Sequence, residues 1–374
     1  MNGLPRAEIA EGFSQWLGTL ADWARKHRDG TVEWRDVAGT GLLSLTVPEH
    51  LGGAGVGFEA VSTALETAAA GCGPGGLWFA VCAHLLACQE PLVAFGDSEQ
   101  QQRFLPGMMT GDVIGAHAST EYEAGSDVLS VRTAATRAAE GAWTLNGSKT
   151  FVTNGPIADV FLVLARTAPG SPLAGLTSFL VPRGTPGLSV GPPIEKAGLQ
   201  GSSLATLRLD ECELPDSACL GGAGAGYAVL THTMRIERAL ILAPTLGLME
   251  RALQSAVEHA RMRRQFGQRL ADFDSVRDRL VTMKINLVSA REMLQATARQ
   301  ADSGRLDHAR SALTKVHVSR CFNEFCNNLV DVYGGYALLP ETGAGLLLDD
   351  AVASRFYSGT SDMNRKIVAQ GLGL

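Results

Sequence analysis

Two glycine-rich runs are the first candidates for chemistry, because closely spaced glycines let a backbone approach a phosphate. The run 222–226 reads Gly-Ala-Gly-Ala-Gly, but Tyr227 follows where a dinucleotide-binding loop needs its third glycine. The run 53–57 fails at the same place, since Phe58 follows it. Neither run lies in a strand–helix–strand pattern, so the sequence predicts no Rossmann-type nucleotide site.

Side chains for nucleophilic or metal-assisted catalysis are also poorly arranged. No serine stands in a G-x-S-x-G nucleophile motif, and no lysine follows a glycine-rich loop. The eight histidines are scattered, and none of the seven cysteines forms C-x-x-C. We therefore expect no metal site and no disulfide framework, but free thiols in a cytoplasmic protein.

Charge and composition limit the class of partner. The chain has 374 residues, 45% of them hydrophobic, which is enough for two or three domains with large cores. Its 32 basic and 38 acidic side chains give a net charge of −6, which argues against a nucleic-acid binder. Residues 1–10 lack the segments of a signal peptide, and no apolar run reaches the ~18 residues of a membrane span. We expect no nucleic-acid or membrane contact.

The elements that would position a site change in kind along the chain, and predict an α+β fold. Residues 1–113 predict an N-terminal α-helical domain, because apolar residues recur at helical spacing. Residues 114–222 predict a middle β-sandwich or barrel domain, with short apolar runs between turns and a hairpin at Asn146-Gly147. Residues 223–374 predict a C-terminal four-helix bundle with single apolar stripes, interrupted at Pro244.

Short motifs lie along this α–β–α chain at characteristic separations. They are Pro48-Glu49-His50-Leu51-Gly52-Gly53, Thr120-Glu121-Tyr122-Glu123-Ala124-Gly125-Ser126-Asp127, Asn146-Gly147-Ser148-Lys149, Phe151-Val152-Thr153-Asn154-Gly155, Arg263-Arg264-Gln265-Phe266-Gly267 and Tyr357-Ser358-Gly359-Thr360-Ser361-Asp362. Each is weak alone. Together, over nearly the whole chain, they resemble the acyl-CoA dehydrogenase flavoprotein family, which has the same domain order.

The resemblance implies a non-covalent FAD between the β-domain and the C-terminal helices. Thr120 and Thr153 match hydroxyls that hydrogen-bond the flavin ring, Thr153 near N5. Phe151 matches an aromatic residue, usually Trp, that covers one ring face, and Ser126 matches a pyrophosphate contact. Two further residues belong to the implied FAD contacts: Ser119 and Thr360.

A second set of implied FAD contacts reaches the cofactor of a neighbouring subunit. Arg263 and Phe266 match such residues, and Gly334-Gly335 matches a turn at the adenine end. The resemblance therefore implies a homo-oligomer, a tetramer by the habit of the family, with a dimer as the alternative. For Arg263 alone, an ordinary position at a helix C-terminus explains the residue type as well.

The family chemistry removes an α-proton from a thioester while a β-hydride passes to flavin N5, so it needs a general base. In much of the family that base is a Glu in the C-terminal motif, where this chain has Ser358. Other members place it on the first bundle helix before an Arg, and Glu237-Arg238 matches that position. Glu237 is therefore the implied base, and the backbone N–H of Ser358 the implied oxyanion donor.

The short sequence segments around Glu237, Arg251, Arg263 and Ser358 resemble those of aminoacyl-carrier-protein dehydrogenases of secondary metabolism, including the enzymes that oxidise prolyl thioesters. Many members that act on CoA have an Asp where this chain has Arg235. Arg235 and Arg238 are the implied contacts of the thioester arm. The implied substrate is an acyl or aminoacyl thioester on a carrier protein.

Three alternatives stay open at this stage: an acyl-CoA dehydrogenase of short or branched chains, an O₂-using relative, and a non-catalytic relative. The electron acceptor is an electron-transfer flavoprotein or O₂. The acyl group and the number of oxidations are not readable from the residues.

Overall fold

The computed structural model describes residues 12–28, 32–138, 141–168, 170–171 and 173–374. Residues 1–10, on which the expectation of no signal peptide rests, lie outside this range. The described chain runs through helices, then strands, then helices again. The predicted α+β class and the order of its three kinds of region are therefore confirmed.

Helices fill the first region, and its core is built from the predicted apolar face. Val61, Ala64, Leu65 and Ala68 are all fully buried. The helices are α1 (Phe13–Lys26), α2 (Trp34–Ala38), α3 (Phe58–Gly71), α4 (Gly75–His84), α5 (Glu90–Phe95) and α6 (Ser98–Thr110). A π-helical segment, Leu85–Gln89, joins α4 to α5.

The continuous helical stretch Gly75–Phe95 is apolar on all sides. It is long and apolar enough to cross a membrane by composition, but 89% of its most apolar window is buried inside the protein. A helix that is apolar all round and covered by its own protein is typical of a core helix. This stretch is therefore part of the helical domain that the sequence predicts for residues 1–113.

All eight strands of the middle region belong to one hydrogen-bonded sheet. Its order is β6-β7-β3-β2-β4-β5-β8, and β1 pairs in parallel with β4. The strands are β1 (Gly115–Ala118), β2 (Ala134–Arg137), β3 (Trp143–Thr153), β4 (Val160–Arg166), β5 (Leu176–Pro182), β6 (Leu188–Val190), β7 (Leu204–Leu214) and β8 (Cys219–Leu220). The ends of β1 and β3 carry predicted site residues.

The predicted hairpin at Asn146-Gly147 is wrong, because β3 runs straight through both residues. Their pairing with β7 shifts register at this point, which marks a bulge instead of a turn. The Asn146 amide forms two hydrogen bonds with Glu211 across the bulge. A side chain at position 147 would lie 2.6 Å from the Thr133 hydroxyl. The glycine is needed for this close approach of two strands.

Helices of the C-terminal region pack on one apolar core, as predicted. They are α7 (Gly226–Leu240), α8 (Ala243–Met262), α9 (Asp274–Asp302), α10 (His308–Tyr333), α11 (Ala344–Ala353) and α12 (Ser361–Gly371). A short hairpin, Arg264–Gln265 with Gln268–Arg269, follows α8. Pro244 lies in the first turn of α8, where the chain breaks from α7. This break ends α7 shortly after Glu237.

The seven cysteines are all buried and free, as predicted. Among the residues that the structure describes, no group of three or more His, Cys, Asp or Glu side chains is placed to hold a metal ion.

Candidate active site

Glu237 lies in the last turns of α7, and its side chain faces inward. The residue is only 8% exposed. Oε1 accepts a hydrogen bond of 2.6 Å from the Ser358 hydroxyl. Oε2 is buried without a hydrogen-bond partner among the described residues. A buried carboxylate oxygen left free in this way is costly, and such groups are concentrated at functional sites.

The turn that carries Ser358 presents its backbone in an unusual way. Ser358 has a φ of 53°, a conformation that non-glycine residues adopt only when their surroundings enforce it. Arg238 donates to the Ser358 carbonyl at 3.2 Å, and the Asn364 amide donates to the Gly359 carbonyl at 2.8 Å. The backbone N–H groups of residues 357–360 donate to no described residue. The turn therefore fixes its carbonyls and leaves N–H donors available beside Glu237.

The electrostatics of this pair suit a base. Burial raises the pKa of Glu237 above its ordinary value, because the ionised form loses its hydration. The hydrogen bond from Ser358 and the charges of Arg238 and Lys315 lower the pKa again. Burial prevails, so the carboxylate lies in an environment that favours proton uptake, and the Ser358 hydroxyl and the two cations oppose this effect only in part.

A small cavity, lined by apolar side chains together with Thr245 and Asp350, lies close to this pair. It has a volume of about 10 Å³, room for at most one water molecule. Tyr357 lines it directly before Ser358, and Ile241 lines it one turn after Glu237. Its other apolar walls are Phe79, Leu199, Pro244, Leu248 and Phe322. Any acyl group that enters here must displace some of these side chains.

Arg235, two residues before the candidate base on α7, is held by a chain of polar contacts. It donates to the Leu306 carbonyl at 3.3 Å and lies 3.3 Å from Nδ1 of His232. Nε2 of His232 lies 2.7 Å from the buried Glu90 carboxylate. The Arg235 Nε–H has no partner among the described residues. The predicted arm contact is therefore a fixed cation with a free donor, and nothing in the sequence indicated its link to Glu90.

On the sheet side, Ser119 and Thr120 follow β1 and are tied to β3. Lys149 donates to the Ser119 carbonyl at 3.3 Å, and the Thr150 N–H donates to the Thr120 carbonyl at 2.9 Å. Below them Lys149 forms a buried ion pair of 2.7 Å with Glu121. This pair fixes the two segments that carry the predicted ring contacts.

Phe151 and Thr153 complete this group at the end of β3. The pairing with β7 is irregular from Lys149 to Val152, and Phe151 has a φ of 53° with 61% of its surface exposed. A bulge that turns an aromatic ring out to solvent is typical of a ligand platform. Thr153 is half-buried, while Ser126 is exposed on the loop after Thr120.

A hydroxyl that the sequence did not single out lies in the same place. Ser203 accepts a hydrogen bond from the Asn154 N–H on its carbonyl, directly beside Thr153. Its Oγ is buried and has no partner among the described residues. A bound flavin ring with hydrogen-bonding edges fits an exposed aromatic face beside unsatisfied hydroxyls. The residues present on this side therefore fit FAD.

The remaining predicted FAD contacts lie on the bundle. Arg263 ends α8, with its guanidinium 5.2 Å from the ring centroid of Tyr336, next to Gly334 and Gly335. Phe266, in the hairpin, has a φ of 49° and is 94% exposed. Thr360 caps α12 through a hydrogen bond from the Met363 N–H. In the described part of the chain, no hydrogen bond or ion pair joins Arg263 or Phe266 to the Thr120–Phe151 group.

A larger cavity lies elsewhere in the described chain. It has a volume of about 410 Å³ and is lined by residues of α6 and of the β5 and β7 ends, including Arg103 and Glu213. None of the predicted site residues lines it. The chemistry is concentrated instead where α7, α10 and the 357–360 turn meet.

Comparisons with known proteins find matches along nearly the whole chain. Residues 9–112, 116–212 and 224–373 match the N-terminal, middle and C-terminal domains of acyl-CoA dehydrogenase. The chain is 36% identical to the L-prolyl peptidyl-carrier protein dehydrogenase of Pseudomonas fluorescens, over 91% of this chain and 90% of that protein.

Two solved structures are similar over nearly the whole chain. The prolyl acyl carrier protein oxidase AnaB has a TM-score of 0.92 at 34% identity, covering 96% of this chain and 98% of AnaB. PigA, solved with FAD and proline, has a TM-score of 0.92 at 33% identity, covering 97% and 98%.

Proposed function

The chain belongs to the acyl-CoA dehydrogenase family, and on that premise we propose that it is an FAD-dependent dehydrogenase of an acyl or aminoacyl thioester on a carrier protein. The observation that carries this proposal is the buried, half-satisfied Glu237 beside the strained Ser358 turn. The similarity to prolyl-carrier-protein dehydrogenases supports a carrier-bound aminoacyl group.

FAD would be held by Ser119, Thr120, Phe151 and Thr153, with Ser126 on its pyrophosphate. When bound, it supplies the acceptor for the hydride that leaves the β-carbon of the substrate. Phe151 covers one face of the site and excludes water from it. The exposed, strained position of Phe151 and the unsatisfied hydroxyl of Ser203 support this placement.

Glu237 is the general base that removes the α-proton of the thioester. The free Oε2 is the atom that takes the proton, because Oε1 is occupied by the Ser358 hydroxyl. Burial raises the pKa of Glu237, which brings the carboxylate closer to the operating pH and strengthens it as a base. Ser358 itself acts on no proton of the substrate through its side chain.

The backbone N–H groups of the 357–360 turn hold the thioester carbonyl. Hydrogen bonds to this oxygen stabilise the negative charge that develops on it as the α-proton leaves. Arg238 and Asn364 fix the turn from the other side through its carbonyls. Arg238 therefore stabilises the turn without touching the substrate. Arg235, with its free Nε–H, contacts the pantetheine-like arm of the substrate.

We infer that the acyl group is compact. The void of about 10 Å³ beside Tyr357 must widen for any acyl group, and a short chain or a five-membered ring requires a smaller displacement of its walls than a long chain. That AnaB is described as an oxidase supports O₂ as the electron acceptor, with an electron-transfer flavoprotein as the alternative.

A homo-oligomer, in our proposal a tetramer, completes the FAD site. An exposed apolar stripe on α9 (Val281, Ile285 and Val288) and the exposed Phe266 ring support a covered surface. The seven free thiols support a cytoplasmic enzyme, and the carrier-bound substrate supports a role in biosynthesis of secondary metabolites.

An anaerobic titration tests the proposal. The FAD-loaded protein is mixed with prolyl and short acyl groups, each offered on a carrier protein and on CoA, and the flavin absorbance is followed. We expect bleaching by a carrier-bound thioester. Equal rates with the CoA thioesters would contradict the carrier preference. No bleaching by any thioester, with FAD bound, would contradict the dehydrogenase assignment.

A further inference from the structure

Lys315 is a buried lysine that the proposed chemistry does not yet use. It lies on α10 with 1% of its surface exposed. Its ammonium donates to the Ser354 carbonyl at 2.5 Å and lies 4.7 Å from the ring centroid of Tyr357. A buried cation is costly unless it is partnered, and these two contacts partly offset the cost of burying Lys315.

The contacts of Lys315 belong to a polar row along one face of α10. Ser319, one turn later, shares a hydrogen bond of 2.7 Å with the Ser354 hydroxyl. Asn323, two turns later, donates to the Ala351 carbonyl at 2.7 Å. This row fastens the end of α11 to α10 just before the chain enters the Tyr357–Ser358 turn. Lys315 is the member of the row nearest to that turn.

Lys315 also acts on Glu237 through space. The groups that face Glu237 are Arg238 on its own helix, Lys315 on α10, Cys82 on α4 and Tyr357 on the turn. Burial raises the pKa of Cys82 and of Tyr357, so both are neutral. The ionised Glu237 in turn raises the pKa of Lys315, which burial alone lowers; the balance is about 7. Each ion therefore favours the charged form of the other.

We propose that Lys315 is a positioning residue that holds the Tyr357–Ser358 turn against Glu237 and favours the ionised form of the Glu237 carboxylate. The proposal rests on the proposed function, because it takes Glu237 as the base. Arg238 also lowers the pKa of Glu237, but it holds the turn through the Ser358 carbonyl, whereas Lys315 holds it through the Ser354 carbonyl and the Tyr357 ring. When Glu237 takes up the proton, Lys315 loses its negatively charged neighbour. Protonation of Glu237 therefore lowers the pKa of Lys315 in every turnover.

The pH profile of the FAD-loaded enzyme distinguishes this role from simple packing. The acidic limb of kcat/KM reports the pKa of the base in the free enzyme. Without the cation the pKa of Glu237 rises, so in Lys315→Met we expect the acidic limb to move upward. Lys315→Arg keeps the charge and should leave the limb near its wild-type position.

Ser319→Ala is the matched control, because it removes a hydrogen bond to the same segment without changing any charge. Its acidic limb should not move, even where its activity falls. If Lys315→Met and Ser319→Ala lose activity alike and both keep the wild-type limb, Lys315 is a structural residue and the proposal is wrong. Should Lys315→Met fail to fold, Lys315→Gln replaces it, since its amide still donates to Ser354.

A second measurement needs no substrate. The infrared band of the protonated Glu237 carboxyl, identified by its absence in Glu237→Gln, is titrated in wild type and in Lys315→Met. We expect the band in the variant to persist to higher pH by the same shift. Equal titrations would overturn the proposal. A failure of the thioester panel, with this shift present, would instead overturn the assignment of the reaction.

Discussion

Two buried carboxylates, one in each half of the molecule, have the same exposure and opposite surroundings. Glu121, after β1, and Glu237, on α7, are both 8% exposed. Glu121 accepts hydrogen bonds from the Arg132 and Thr133 N–H groups, from the Thr133 hydroxyl and from Lys149. Glu237 accepts one, from Ser358. One carboxylate is fully satisfied and the other is left half free.

The difference appears in the pKa values. Burial raises the pKa of both groups, but at Glu121 the Lys149 charge and the hydrogen bonds outweigh burial and leave the pKa below its ordinary value. At Glu237 burial prevails and the pKa is raised. Burial alone therefore does not identify a general base. A buried carboxylate is a candidate base when it has too few hydrogen-bond donors and cations around it to stabilise its charge. Glu121 holds the site together, and Glu237 acts in it.

The substitution Lys149→Met, which removes the counter-ion of Glu121, is expected to have the largest effect on stability. It leaves Glu121 buried without its counter-ion, so we expect the free energy of unfolding to fall by about 3–5 kcal/mol. Because the pKa of Glu121 is lowered in the folded state, its stabilising contribution is present above its unfolded pKa and lost as the pH falls. The deficit of the variant should therefore shrink toward acidic pH in denaturant titrations.

Lys366→Met, at an exposed position on α12, is the control and should change stability by less than about 0.5 kcal/mol. A loss in Lys149→Met no larger than in this control would mean that Glu121 does not depend on Lys149. The contrast between the two carboxylates would then have no energetic basis.

A smaller effect is expected from Ser358→Ala, which removes the one hydrogen bond to Glu237. That bond lowers the pKa of the carboxyl, so its loss raises the pKa and moves the acidic limb of kcat/KM upward by about one pH unit. The rate well above this limb should stay close to wild type, because the backbone N–H donors of the turn remain. Loss of activity at every pH would instead assign the hydroxyl a direct role.

Periodicity was enough to predict the architecture. The stripes on α3, α9 and α10 follow helical spacing because each of these helices buries one face, and the short apolar runs became β4, β5 and β7. The hairpin at Asn146-Gly147 fails because local turn preference does not reveal a partner strand. At this point Gly147 leaves room for Thr133 of the neighbouring segment, and the Asn146 amide donates a hydrogen bond to Glu211.

The site was predictable only where its residues lie in motifs. Glu237 and Ser358 are 121 positions apart, and the motifs indicated each of them, while their hydrogen bond is a property of the folded chain. Lys315, Ser203 and the Glu90–His232 contact carried no signal, because a lysine or serine on a helix or loop is usually solvated. Their importance follows from burial, which a single sequence does not display residue by residue.

The central claim is that Glu237 removes the α-proton, and Glu237→Gln tests it most directly. The FAD-loaded variant is mixed anaerobically with the best carrier-bound thioester, and the single-turnover rate of flavin reduction is compared with that of wild type and of Glu213→Gln, an exposed control on β7. We predict a rate about 10²–10⁴ times lower in Glu237→Gln, with FAD still bound and the control unchanged. Reduction at the wild-type rate in Glu237→Gln would contradict the account.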